Sequence, residues 1–431
     1  MKNSIIFFSN QYRAMDYYRK ELKMGIMLNS DKITKEEFEA FSNVKLNEIP
    51  WYDKCYMVAE DTNLDELKTL EPELGLFQFA DPKELYPMSL LDIKSGHKVI
   101  DVFACASGVK TIQAGLFLKN TGLLVINSEI RAKVFNMVNK LQSFGITNFI
   151  ATNSSYEKML ESNSESFDRV IVTPTKDYKD EETNYLKMPL RIRKLKLTEN
   201  TKKIYRILDK SIGMVKCGGK LLYSTRGNSF LEEKYALNKI LKKYPNISIS
   251  KLDGIKEARM VISDKTSTVK MYILLLEKAV LENNNKKKTY SNMYSLYTKE
   301  IDEYLIFEKK YMNISLKDKV VKKEKNFYIL PDLDINTENL DVRNIGSFIG
   351  FLREDKFIPS YALACMLKID NVKNYYEIKS GTREYEKYIN SKKFRTTLSK
   401  GIYLVGVMGH PIGWGRVLNG FFINITKKFI R

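Results

Sequence analysis

The chain has 431 residues, 44% apolar and 29% charged, with 71 Lys and Arg against 52 Asp and Glu for a formal net charge of +19. This composition supports packed cores and excludes a mainly disordered chain, and the length predicts about two to four domains. The cationic excess favours a polyanion or an acidic membrane surface as partner, and no apolar run reaches the ~18–20 residues that a membrane helix needs.

In chain order, Tyr12 to Met24 and Thr34 to Val44 read as helices, the second opened by Thr34 and Glu37 as a capping box. The start of the chain has only a short apolar patch and no small-residue cleavage site, so a soluble, cytoplasmic protein is expected. An extended stretch follows around Ile49, Pro50 and Trp51. From Gly96 strands and helices alternate. Lys98–Ala104, Gly122–Glu129, Asn148–Asn153, Phe167–Pro174 and Gly218–Thr225 read as strands. Val109–Asn120, Ile130–Gly145 and Leu231–Tyr244 read as helices, and a basic helical stretch near Glu199 to Val215 precedes the fifth strand. Thr268 to Lys278 reads as a late strand. This alternation predicts βαβ units and a parallel sheet. Val280 to Asn292 is polar and unpatterned and reads as a linker. Near the end, Gly401 to Ile425 reads as two strands, with a turn over His410 to Gly415 anchored by Trp414.

Two segments concentrate positive charge. Lys187 to Lys210 holds nine Lys and Arg against two acids, and Asn371 to Arg431 twelve against three. Tyr385, Tyr388 and Phe394 are interleaved with the second set. Clustered cations release counterions from phosphates, and rings stack on unpaired bases. The candidates for RNA contact are Arg191, Arg193, Lys194, Arg416, Lys427 and Lys428. Cys55, Cys105, Cys217 and Cys365 are far apart, and the histidines are His97 and His410 alone. Neither a disulfide framework nor a metal centre is expected.

The strand ending in Asp101 runs into a Gly-containing loop and a helix. Ligands settle at such a helix N-terminus, at the carboxyl ends of parallel strands. Glu129 closes the next strand, where a carboxylate can accept from both hydroxyls of a ribose. Equally, Asp101 could serve a turn, and Glu129 the first turn of the following helix.

LLDIKSGHKVIDVFACASGVKT, FDRVIVTPT and KCGGKLLYSTRG, in that order, resemble the RsmB/RsmF/Sun-type family of S-adenosylmethionine-dependent RNA cytosine-5 methyltransferases. EFEAF and IPW, with REDKFIPSYALA and GHPIGWGRVLNG, resemble its RsmF-type subgroup, which carries a C-terminal PUA-like RNA-binding domain. The resemblance implies an α/β chain in four parts. These are an N-terminal helical extension (1–75), a Rossmann-like class I methyltransferase domain (76–280), a linker (281–295) and a C-terminal α+β region (296–431) ending in a PUA-like domain. It implies S-adenosylmethionine as cofactor, bound by Asp101, Ala104, Ser107, Gly108, Lys110 and Glu129. Structured RNA, ribosomal RNA or the ribosomal subunit, is the implied partner of a monomer that needs neither metal nor membrane. Lys110 and Arg226 join the RNA contacts.

The departures from the family concern its chemistry. A cysteine thiolate adds to cytosine C6, and C5 then attacks the sulfonium methyl. Arg226 stands where that cysteine follows Ser-Thr, and a guanidinium cannot make this addition. The product-releasing cysteine falls at Thr175 or Lys176, and the motif's Asp at Thr173 or Val172. Val109 replaces the second loop glycine, and the acid on the adenine side falls at Ser154 or Ser155. Cys105, in the cofactor loop, and Cys217, before the fifth strand, are on other elements. The expectation is an RNA-binding member without methyl transfer, its cofactor binding weak or lost. The alternatives are a working methyltransferase with an unconventional site and an assembly scaffold.

Overall fold

The computed structural model describes residues 24–49, 52–59, 74–104, 107–174, 190–227, 231–250, 259–262, 270–280, 296–331 and 335–426. The expected linker at 281–295 lies outside them, as does the expected first helix but for Met24.

The first described part is β1 (Gly25–Leu28), α1 (Lys35–Ser42), β2 (Leu46–Ile49), β3 (Tyr52–Val58) and β4 (Phe77–Ala80). The strands form an antiparallel sheet in the order β2-β3-β1-β4. This corrects the expected helical extension. GIML is buried at all four positions, which suits a strand with neighbours on both sides. β4 belongs to this sheet although it lies beyond the expected boundary at 75. The capping box is present: Glu37 N donates to Thr34 Oγ1 at 3.2 Å, and Thr34 N donates to the Glu37 carboxylate at 2.8 Å.

The central part runs α2 (Pro82–Ser89), β5 (Lys98–Asp101), α3 (Val109–Leu118), β6 (Leu123–Asn127), α4 (Arg131–Ser143), β7 (Phe149–Thr152), α5 (Tyr156–Ser162) and β8 (Phe167–Val172). It continues with α6 (Leu190–Met214), β9 (Val215–Gly227), α7 (Leu231–Lys243), β10 (Ile247–Ile249), β11 (Arg259–Ile262) and β12 (Lys270–Lys278). β7-β6-β5-β8-β9 are parallel, and β12 closes antiparallel on β9 and pairs with β10 and β11. β6, β7 and β8 are buried at every residue, as strands covered on both faces must be. One core lies against α2, α3 and α4, and the other against α5, α6 and α7. The chain goes to β6 on one side of β5 and returns to β8 on the other. That switch point opens a crevice at the strands' carboxyl ends. The mixed sheet is the Rossmann-like class I methyltransferase arrangement expected from the sequence.

The last part has α8 (Asp302–Tyr311), β13 (Val320–Lys323), β14 (Asn326–Ile329), β15 (Val342–Ile345), β16 (Ser347–Arg353), β17 (Lys356–Pro359) and α9 (Tyr361–Met366). β18 (Tyr375–Glu377), α10 (Arg383–Ile389), β19 (Phe394–Arg395), β20 (Gly401–Val407), β21 (His410–Leu418) and β22 (Phe421–Asn424) follow. Two sheets result, β13-β14-β16-β17 and β18-β20-β21-β22-β19. β15 joins neither; it pairs antiparallel with β7 as the outer strand of the central sheet. The five-stranded sheet shares a core with the first sheet, where Ile26, Leu28 and Phe38 cluster with Tyr388, Val405 and Phe422. The hairpin turn falls at Met408 and Gly409 (φ 54° and 80°), so the turn expected over His410 to Gly415 is strand. Trp414 is buried, and its Nε1 donates to the Ser360 carbonyl at 3.0 Å.

Candidate functional site

The crevice at the carboxyl ends of β5, β6 and β7 gathers the expected cofactor residues. Asp101 ends β5 fully inside the protein. Its Oδ2 accepts from Thr111 Oγ1 at 2.6 Å, while Oδ1 makes no hydrogen bond. Burial pushes its pKa up to about 6, against the pull of Thr111, Lys110 and the Phe103 amide. Lys110, on the first turn of α3, is itself only 5% exposed. Gly108 caps α3 with φ 73°, and a side chain there would press on Met137 and Lys140. Lys140 Nζ donates to the Ser107 carbonyl at 2.8 Å and to Gln78 at 3.3 Å, tying the loop to β4. Cys105 lies outside the described residues.

On β6, Ala104 N donates to the Asn127 carbonyl at 2.8 Å. Glu129 is exposed just past the strand, and Ile130 after it leaves 52% of its surface open. Phe103 and Tyr156 pack together at 5.8 Å between ring centroids, against the core under α5, α6 and α7. Burial, with Glu157 and Glu129 nearby, raises the Tyr156 pKa to about 12. The side chain of Asn127 links the strand ends. Nδ2 donates to the Val102 and Ser154 carbonyls at 3.2 and 2.9 Å, and Oδ1 accepts from Ser154 N and Thr152 Oγ1 at 3.0 and 2.8 Å. Asn127, Ile130, Phe103 and Tyr156 were not singled out from sequence. The isoleucine is an ordinary helix-start residue until its exposure is seen.

Arg226 stands near the end of β9, paired with Met271 of β12. Its Nη2 donates to Asp81 at 3.1 Å and to Glu84 at 2.6 Å. Both carboxylates come from the β4–α2 junction, and the guanidinium keeps 44% exposure. Thr173 is buried just after β8. Thr175 and Lys176 lie outside the described residues. Asp81 and Glu84 were not singled out from sequence.

The expected RNA contacts are dispersed. Arg191, Arg193 and Lys194 are on the backbone of α6, with their side chains outside the description. Arg416 is half-buried on β21, between Ile402 and Ile423. Lys427 and Lys428 lie outside the described residues. Among the described residues no cluster of His, Cys, Asp and Glu is arranged for a metal, and no helix is long and apolar enough to cross a membrane.

Comparison with known proteins concentrates on the same region. The family described as 16S rRNA methyltransferase RsmB/F matches residues 88–278. The ribosomal RNA small subunit methyltransferase F of Shewanella woodyi is 28% identical over 242 residues, 54% of this chain and 50% of the relative. A tRNA (cytosine(49)-C(5))-methyltransferase of Pyrococcus abyssi is 26% identical over 253 residues, 56% of this chain and 76% of the relative. The chain thus spans about half the length of the Shewanella relatives it matches. A methyltransferase homologue from Pyrococcus horikoshii superposes with a TM-score of 0.49 at 20% identity, over 61% of this chain and 88% of that one. Residues 88–278, which hold the parallel sheet and its crevice, are thus the part of the chain that is similar to the 16S rRNA methyltransferase RsmB/F family.

Proposed function

We propose that this protein is an RsmF-like, ribosomal-RNA-binding member of its family that does not make 5-methylcytosine by the thiolate route. The observation that carries this reading is Arg226. The position of the family's nucleophile holds a guanidinium, and its Nη2 bonds to Asp81 and Glu84. It offers no lone pair to C6, and its bonds to two carboxylates oppose any move to admit a base.

The crevice suits an adenosyl ligand with an ammonium group in three respects. Asp101 Oδ1 is a buried acceptor with no donor, Glu129 is an exposed carboxylate, and Ile130 is an exposed apolar surface beside it. Asp101, Glu129 and the loop from Ala104 to Lys110 would hold S-adenosylmethionine, which supplies an electrophilic methyl when bound. Relative to the family, the loop lacks a glycine and the adenine side lacks an acid, so binding is weakened. The retained crevice also favours a second reading, a working cytosine-5 methyltransferase with an unconventional site. In either case the C-terminal region, with its PUA-like end, and the basic α6 take the RNA, and the protein acts as a cytoplasmic monomer.

The test is incubation with 16S ribosomal RNA and methyl-labelled S-adenosylmethionine, followed by nucleoside analysis. The expected result is bound RNA without 5-methylcytosine. A stoichiometric signal, lost when Cys105 or Cys217 is changed to Ser, establishes the second reading.

A further inference from the structure

Residues 336–346 run along the outer side of the central part, bonded in turn to the end of α5, the loop after β7 and β7 itself. At one end Asn163 and Asn336 make a reciprocal pair: Asn163 Nδ2 donates to the Asn336 carbonyl at 2.8 Å, and Asn336 N to Asn163 Oδ1 at 2.9 Å. Ser162 Oγ donates to the Glu338 carbonyl at 3.1 Å. At the other end β15 pairs with β7, and Gly346 N donates to the Phe149 carbonyl at 2.7 Å. Between them, the backbone of Asp341 holds the loop after β7. Asp341 N donates to Ser154 Oγ at 2.8 Å, and its carbonyl accepts from Asn153 N at 2.8 Å. The Asp341 carboxylate turns to Arg343, so the backbone makes the bridge.

From this loop the bonds continue into the crevice. Asn153 Nδ2 donates to the Ser128 carbonyl at 2.6 Å, one residue from Glu129. Ser154 exchanges two hydrogen bonds with the Asn127 side chain, which also holds Val102 in the loop after β5. Two routes therefore join Asp341 to the turn carrying Glu129 and Ile130, one through Asn153 to Ser128 and one through Ser154 to Asn127. Beyond Gly346 the same segment becomes β16, an interior strand of the C-terminal four-stranded sheet. Ile345 packs in the central core and Ile349 in the C-terminal one.

We infer that this segment is a positioning strap, through which the C-terminal region sets the geometry of the adenosyl crevice, so that RNA held by that region and ligand held by the crevice bind with mutual coupling. The RNA half rests on the proposed function. Coupling between sites is carried by packed and hydrogen-bonded contacts and is reciprocal.

Hydrogen–deuterium exchange on the full chain tests it. Ser154→Ala removes the acceptor for Asp341 N, and Ser154→Thr keeps a hydroxyl there. Asn163→Ala loosens the strap far from the crevice. Exchange at residues 127–130 is expected to speed up about fivefold or more in both alanine variants and to return with Ser154→Thr. Unchanged exchange in both alanine variants overturns the strap, as does failure of Ser154→Thr to restore it. Transcribed 16S ribosomal RNA is expected to slow exchange at 127–130 in the wild type and not in Ser154→Ala. RNA bound with no effect there overturns the coupling and leaves the RNA-binding reading standing. Absence of RNA binding overturns that reading and the coupling together, while the strap still stands or falls by the variants.

Discussion

Arg226 and Asp101 stand near the carboxyl ends of two strands of one sheet, β9 and β5, and each is decided by its neighbours. Arg226 has two carboxylate partners in Asp81 and Glu84, so exchanging it for cysteine also removes an ion pair from each of them. Arg226→Cys is expected to give no 5-methylcytosine on 16S ribosomal RNA, because groups that act as a unit are not recovered singly. Recovery of methylation by that single change, read by nucleoside analysis, contradicts it. Asp101 is a carboxyl held by burial at about 6, above its usual 3.8. A raised carboxyl favours the folded state at pH below the unfolded value, and this contribution is lost as pH rises through the folded one. A shift of this size corresponds to about 3 kcal/mol. Asp101→Asn is therefore expected to gain stability relative to wild type by up to about that amount between pH 4 and 7. Urea titrations at the two pH values check this, and a gain in the opposite direction would place the carboxyl below its usual range.

The elements differ in how much the sequence disclosed. β5 to β8 were legible because short apolar runs between helical periodicities have one economical arrangement, a parallel sheet covered on both sides. The helix of Thr34 was legible because its capping box is local. β1 and β4 were not, since GIML and FQFA are four-residue runs whose partners lie elsewhere in the chain. β15 was hidden in the same way: VRNI has no strong pattern, and its partner β7 is distant in sequence. At the site, Asp101, the loop glycine and Glu129 followed from the strand–loop–helix order and Lys110 from the family resemblance, whereas the role of Asn127 depends on three strand ends meeting. The length of α6 was also underestimated, since it starts at Leu190 rather than near Glu199. That places Arg191, Arg193 and Lys194 on one helix. Changing all three to Ala should reduce the slope of log K against log salt for 16S ribosomal RNA by up to about two. Filter binding across a salt series measures this, and an unchanged slope removes the segment from the interface.

Across the whole molecule, the three parts meet through shared apolar cores, and buried polar groups add to the joint between the first and central parts. Asn29 Nδ2 donates to the Gly75 carbonyl at 2.9 Å and to the Phe144 carbonyl at 3.0 Å, joining the first sheet to the end of α4. Lys32 Nζ makes a parallel link to the Leu74 and Ser143 carbonyls at 2.9 and 2.6 Å. Burial lowers the Lys32 pKa. Gly75 has φ 60°, and a side chain there would run into the Ser143 carbonyl. Asn29→Ala leaves two carbonyls without this donor and is expected to cost about 2–4 kcal/mol in chemical unfolding. A loss below about 0.5 kcal/mol, within the range of neutral surface changes, shows that the joint contributes little.

The core shared by the first and last sheets has a consequence for how the protein is made. Ile26 and Phe38 are buried in one cluster with Val405 and Phe422, so their apolar faces stay uncovered until residues about 380 positions later have been made. Contacts this far apart in sequence form slowly, and exposed sheet edges invite association in the interval. The first sheet must therefore wait for its cover during synthesis. The parallel sheet can assemble earlier, except for the outer strand that arrives with residues 342–345.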